Sequence, residues 1–92
     1  MIVRIAGEGQ YDVPDDQGEK LNELDNQLVH ICENGDEAHF DQAWAELLDL
    51  VRSVGTRVPD DELLGSDVIL PPADITMAEA AQEFTGEGLI PD

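Results

Sequence analysis

The sequence has few basic residues, few aromatic residues and one cysteine, and each shortage excludes a class of protein. Four Lys and Arg residues stand against 22 Asp and Glu residues, so the formal net charge is −18. Direct binding to nucleic acid or to an anionic membrane requires cations opposite phosphates, and we exclude both. With 4% aromatic residues, the core is expected to be mainly aliphatic. The single cysteine, Cys32, excludes an internal disulfide framework and is typical of a reducing cytoplasm.

Long hydrophobic runs are also missing. No segment approaches the roughly 18 apolar residues of a membrane span, and the N-terminus lacks the layout of a signal peptide. We therefore expect a cytoplasmic protein with one domain over residues 1–92. The acidity has two interpretations: attraction to a basic protein surface, or adaptation to high salt, which screens self-repulsion. The presence of a single lysine, Lys20, slightly favours the second, and the two are compatible.

Residues 1–14 predict a β-hairpin. The β-branched segment 2–6 and the alternating segment 10–13 read as strands, and Gly7 and Gly9 suit a tight turn between them. The same glycines resemble the start of a dinucleotide-binding loop. That loop needs a third glycine at position 12, which is Asp12 here, and Pro14 prevents a helix from starting. We therefore predict a turn and no bound cofactor.

Residues 15–55 predict an antiparallel pair of helices. Asp15 or Asp16 is expected to cap the first helix, with Glu19 completing a capping box, and Asp36 is expected to cap the second. Gly35 and Gly55 are expected to end the helices. Apolar residues at helical spacing predict the inner faces: Leu21, Leu24, Leu28 and Ile31, then Phe40, Ala43, Trp44, Leu47, Leu48, Val51 and Val54.

Residues 56–92 predict a short strand and a short helix. The run Val68–Leu70 supplies a third strand, which is needed because a two-stranded hairpin alone is marginally stable. Thr76 and Glu79 form a capping box that opens a helix to about Phe84. The predicted fold class is therefore α+β: an N-terminal β-hairpin, an antiparallel helical hairpin, a short third strand and a short C-terminal helix.

The sequence offers no convincing metal or catalytic site. His30, Cys32 and His39 lack the spacing of zinc ligands. Residues 12–23 have the length of a calcium loop, but Pro14 falls where the third-position ligand should be. No basic group close in sequence lowers the pKa of the Cys32 thiol, and the carboxylates are typical of a solvated surface. We expect no enzyme activity, no metal and no cofactor.

Apolar surface on the helical hairpin is the remaining functional candidate. Most of its apolar residues are expected to be core, but a small sheet and three helices do not obviously cover all of them. Trp44, the only tryptophan, is our candidate interface anchor because tryptophan is enriched at binding hot spots. Leu28 and Leu50 complete the candidate partner-binding set.

Several stretches together resemble the PspA-associated protein family, PspAA. The most specific are residues 7–11 (GEGQY), residues 60–63 (DDEL) and residues 66–72 (SDVILPP), with the opening MIVRIA and the closing GEGLIP in the same order. The resemblance covers essentially the whole chain. The family has no catalytic residues to carry over, and the extreme acidity resembles a haloarchaeal member.

The resemblance implies an accessory protein of PspA, a phage-shock, ESCRT-like protein that assembles on stressed membranes. PspA-type proteins are long helical hairpins that reach anionic lipid through basic, amphipathic helices. We therefore expect this chain to bind PspA, to be membrane-associated only through it, and to modulate its assembly or membrane access. The alternative is a self-associating structural module, a homodimer without direct PspA contact.

Overall fold

The computed structural model describes residues 1–59, 61–62 and 65–83. The predicted α+β fold is confirmed. The elements in chain order are β1 (Ile2–Ile5), β2 (Gly9–Asp12), a 3-10 turn (Asp15–Gln17), α1 (Gly18–Asn34), α2 (Glu37–Val54), β3 (Thr56–Arg57), β4 (Val68–Leu70) and α3 (Met77–Glu83).

The strands form one mixed sheet in the order β3-β2-β1-β4. β1 pairs antiparallel with β2, and β2 pairs antiparallel with β3. β4 pairs parallel with β1, with Val3 opposite Val68 and Ile5 opposite Leu70. A parallel neighbour needs a long crossover connection, and the helical hairpin lies within the chain between the two strands. The predicted strand at Val68–Leu70 is confirmed, whereas β3 was not predicted.

Residues 6–8 form the turn between β1 and β2, and Gly9 is the first residue of β2, so the predicted hairpin is confirmed. Gly7 and Gly9 have φ angles of 81° and 130°. Residues with a side chain rarely adopt this backbone conformation. The N–H of Glu8 donates to the carbonyl of Ile5 at 2.9 Å. The turn therefore points the Glu8 side chain outward from the end of the hairpin, where it can reach α2.

The predicted side-chain cap of the first helix is wrong. A 3-10 turn precedes α1, and neither Pro14 before that turn nor Gln17 before α1 makes a side-chain capping bond. The N–H of Gln17 donates to the carbonyl of Pro14 at 3.0 Å, so the backbone is already helical where the capping box was expected. The Asp15 carboxylate instead accepts from the Met1 amino group at 3.3 Å.

The side-chain caps predicted for α2 and α3 are confirmed. The Asp36 carboxylate accepts from the N–H of His39 at 3.3 Å. Thr76 and Glu79 form the reciprocal capping box, with the N–H of Glu79 donating to Thr76 Oγ1 at 3.3 Å. Between α1 and α2, Gly35 takes a left-handed conformation at φ 68° and ends α1.

One face of the sheet packs against the helical hairpin. Strand residues alternate between buried and exposed, so that Val68 and Leu70 face the core while Ile69 faces away. The core is mainly aliphatic and includes Val3, Ile5, Tyr11, Val13, Leu21, Leu24, Leu28, Val29, Phe40, Ala43, Trp44, Leu47, Leu48, Val51, Val68, Leu70 and Ala80. Phe84 and the DDEL residues Asp60 and Leu63 lie outside the described residues, as does GEGLIP.

Candidate partner-binding surface

The three residues predicted to contact a partner occupy different environments. Leu28 is 0% exposed and Trp44 is 3% exposed, whereas Leu50 is partly buried at the margin of the core. Their role in binding remains a prediction. In this conformation only Leu50 presents its side chain to an approaching partner.

Trp44 is held by contacts inside the molecule. Its ring stacks on Phe40 at a centroid distance of 6.4 Å and an interplanar angle of 11°. Its indole N–H donates to the carbonyl of Pro72 at 3.4 Å. Pro72 follows β4, so Trp44 fastens the segment after the last strand to α2. These contacts give Trp44 a structural role within the molecule.

Two open depressions lie along the seam between α1 and α2, one of about 410 Å³ and one of about 180 Å³, and Glu46 lines both. We call this feature the hairpin groove. Its lining is Lys20, Leu24, Gln27 and Ile31 from α1, and His39, Gln42, Ala43, Glu46, Asp49, Leu50 and Ser53 from α2.

The groove lining repeats at helical spacing on both helices. Leu24, Gln27 and Ile31 are three and four residues apart on α1, and Ala43, Glu46 and Leu50 are three and four apart on α2. From residue 39 to residue 53 the groove follows α2 for about 21 Å, or about four turns. A third helix laid along the seam would meet one such residue from each helix at every turn.

The groove combines an apolar floor with a polar rim. Leu24, Ile31 and Leu50 are at least partly buried, while Glu46 and Asp49 are exposed on α2. Asp49 accepts from Arg52 at 3.2 Å. Glu46 has no ion pair within the described part of the chain. The floor therefore suits apolar side chains, and Glu46 offers a carboxylate to a cation beside them.

Residues of the GEGQY motif bind the turn between β1 and β2 to α2. The Glu8 carboxylate accepts from Arg52 Nε at 3.0 Å and from the Tyr11 hydroxyl at 3.0 Å, and Arg52 Nη2 completes a two-pronged ion pair. The Arg57 guanidinium lies 5.7 Å from the Tyr11 ring centroid, a cation–π distance. The hydrogen bond from Arg52, more than any other contact, lowers the pKa of Glu8, and the same contact raises the pKa of Arg52.

The SDVILPP motif (residues 66–72) contacts the GEGQY motif (residues 7–11). Gln10 Nε2 donates to Ser66 Oγ at 2.8 Å, and the N–H of Ile2 donates to the Asp67 carboxylate at 2.8 Å. Residues 66–72 also contain β4, which pairs with β1. The two most specific stretches therefore meet in the sheet, and their described contacts hold its strands together.

His30, Cys32 and His39 do not converge. His30 lies 3.9 Å from Glu33, and His39 contacts Asp36 through Nδ1. Cys32 is partly buried, and burial raises the pKa of its thiol, which makes it a weak nucleophile at neutral pH. Within residues 1–59, 61–62 and 65–83, no three His, Cys, Asp or Glu side chains form a group that could hold a metal ion.

None of the described helices combines the length and the apolar character that a membrane crossing requires.

Comparison with curated proteins and with solved structures finds no match. A family model described as PspA-Associated protein matches residues 1–92. Because this match spans the whole chain and agrees with the sequence motifs, the protein belongs to the PspAA family of PspA-associated proteins.

Proposed function

We propose that this chain is a non-enzymatic accessory protein that binds PspA and modulates its assembly on stressed membranes. The hairpin groove is the observation that carries the proposal, because it offers a third helix an apolar floor flanked by carboxylates. PspA-type proteins are built from long helices, so a helix is the element that such a partner presents. The family name supports association with PspA.

Charge selects the kind of helix that fits. The net charge of −18 attracts a basic surface and repels an acidic one. We therefore expect a basic, amphipathic helix of PspA in the groove, with its apolar side chains on Leu24 and Leu50 and a Lys or Arg beside Glu46. Such helices also reach anionic lipid, so occupation of the groove would withdraw them from the membrane. The protein would then be cytoplasmic and membrane-associated only through PspA.

Calorimetric titration of PspA with two single variants on α2 tests the surface. Leu50→Asp places a carboxylate in the apolar floor, and we expect it to weaken binding at least about tenfold, since it removes an apolar contact and leaves a charge to desolvate. Ala45→Asp is the matched control because Ala45 is exposed on the same helix and does not line the groove. If both variants bind as the wild type does, the groove is the wrong surface.

Liposome sedimentation tests the modulation. We expect the wild-type chain to reduce the fraction of PspA that sediments with anionic vesicles, and Leu50→Asp to have a smaller effect. If the sedimenting fraction of PspA is the same with and without the wild-type chain, the protein does not control membrane access by PspA.

A further inference from the structure

The two walls of the hairpin groove differ in charge. Glu46 and Asp49 are exposed carboxylates of α2 that line the groove. Lys20, the only lysine in the sequence, lines it from α1. No carboxylate of α1 is among the described lining residues. The groove therefore presents an acidic wall on α2 and a wall with a cation on α1.

The cation of the α1 wall is not used inside the molecule. Lys20 is exposed, and no ion pair to it occurs within the described part of the chain. By contrast Arg52, the other Lys or Arg residue of α1 and α2, pairs with Glu8 and Asp49. A helix that covers the groove removes water from Lys20. Its ammonium group must then either extend out to solvent or meet an anion on the partner.

The places of Lys20 and Glu46 along the groove set the spacing of the charges that they can meet. Glu46 lines both depressions, so it is level with the part of α1 between Leu24 and Gln27. Lys20 is about 8 Å from that level along the α1 axis, at about 1.5 Å per residue. On a partner helix the same rise spans about five or six residues, which are roughly 120–140° apart around its axis. Two such residues lie on opposite flanks of the stripe that enters the groove.

We propose that the groove selects a helix with cations on one flank and a carboxylate on the other, and that Lys20 binds this carboxylate. In the PspA complex proposed above, on which this assignment rests, a uniformly basic helix would satisfy Glu46 but place a cation beside Lys20. A helix of mixed charge satisfies both walls, so repulsion at Lys20 contributes to specificity. Reversal of that helix would bring each flank to the opposite wall. Lys20 and Glu46 together therefore also fix the direction in which the helix lies.

Calorimetric titration of PspA with Lys20→Glu and Arg4→Glu tests the selection. Both variants replace an exposed cation by a carboxylate and change the net charge equally, but Arg4 lies in β1 and lines neither depression. We expect Lys20→Glu to weaken binding at least about fivefold, since attraction to the partner carboxylate becomes repulsion. Arg4→Glu should bind as the wild type does or slightly more tightly, because a more negative chain attracts a basic helix more strongly.

Lys20→Met gives a second measurement, because it removes the charge and keeps the length of the side chain. We expect it to weaken binding at least about twofold, and circular dichroism checks that each variant is folded. Equal binding by Lys20→Glu and Arg4→Glu, or tighter binding by Lys20→Glu, would overturn the assignment, because net charge alone would then set the affinity. Weaker binding by Leu50→Asp without a loss in Lys20→Glu would remove only the role of Lys20. A wild type that does not bind PspA would remove the proposed function as well.

Discussion

The side chain of Gln10 donates a hydrogen bond to the hydroxyl of Ser66 at 2.8 Å, across 56 positions of sequence. Gln10 lies in β2 and Ser66 lies two residues before β4, on either side of β1 in the sheet. The contact therefore ties β2 to the segment that leads into β4, the strand at the end of the sheet. It links the GEGQY motif to the SDVILPP motif.

A double-mutant cycle measures this link. We expect Gln10→Ala and Ser66→Ala each to lower the free energy of unfolding by about 1 kcal/mol, the usual value of a side-chain hydrogen bond. The double variant should cost less than the sum of the two, because both remove the same bond. Chemical denaturation of the four proteins gives the numbers. Strict additivity would mean that the bond contributes nothing to stability.

The ion pair of Glu8 with Arg52 predicts a pH dependence. Its partners hold the pKa of Glu8 below the ordinary 4.5, so the contribution to stability is present above that value and is lost as the pH falls through the lowered pKa. We expect Glu8→Gln to be about 1 kcal/mol less stable than the wild type at neutral pH. The difference in the free energy of unfolding should shrink as the pH falls below about 4.5. A difference that does not change with pH would contradict the ion pair.

Two glycine variants should have opposite effects. Gly35 has a φ of 68° and Gly18 has a helical φ of −58°, and neither has a neighbour within 4 Å of an added Cβ. Gly35→Ala therefore meets only backbone strain, and we expect it to destabilise the fold by about 1 kcal/mol. Gly18→Ala should stabilise it by about 0.5–1 kcal/mol, since it improves helix propensity. Thermal unfolding of both variants makes the comparison, and equal shifts would contradict the assigned end of α1.

Features with a local cause were predictable from the sequence. The turn at Gly7 and Gly9, the Asp36 cap and the Thr76 capping box each depend on residues within one turn of each other. The start of α1 was not predictable in this way, because the 3-10 turn after Pro14 makes the backbone helical before a cap is needed. β3 was not predicted either, since two residues become a strand only through their pairing with Tyr11 and Asp12.

The candidate site was predictable only in part. Leu50 was selected at the margin of an apolar stripe and does line the groove. The indole N–H of Trp44 donates to the carbonyl of Pro72, which is 28 positions away, and no local pattern shows that contact. The spacing of Leu24, Gln27 and Ile31 was the available signal for the groove, but it lies beside the stronger spacing of the core residues. The exposure of Ile69 follows from the register of β4, which the sequence does not specify.

Because Trp44 is buried, we expect truncation of its side chain to change the stability of the fold, so this variant does not probe partner binding. We expect Trp44→Ala to lower the free energy of unfolding by about 3–5 kcal/mol, as for other buried large residues. Leu50→Asp, at a partly exposed position, should stay within about 1 kcal/mol of the wild type. Urea denaturation of both variants checks this. Similar losses in the two variants would mean that Leu50 belongs to the core and is unsuitable as a binding probe.

The central claim is that this chain binds PspA directly. The most direct test is light scattering after size exclusion on the chain, on its cognate PspA and on their mixture, at low and high salt. We predict a new species that contains both proteins, with less complex at high salt because charge attracts the basic helix to the groove. Separate elution of the two proteins in both buffers would contradict the claim.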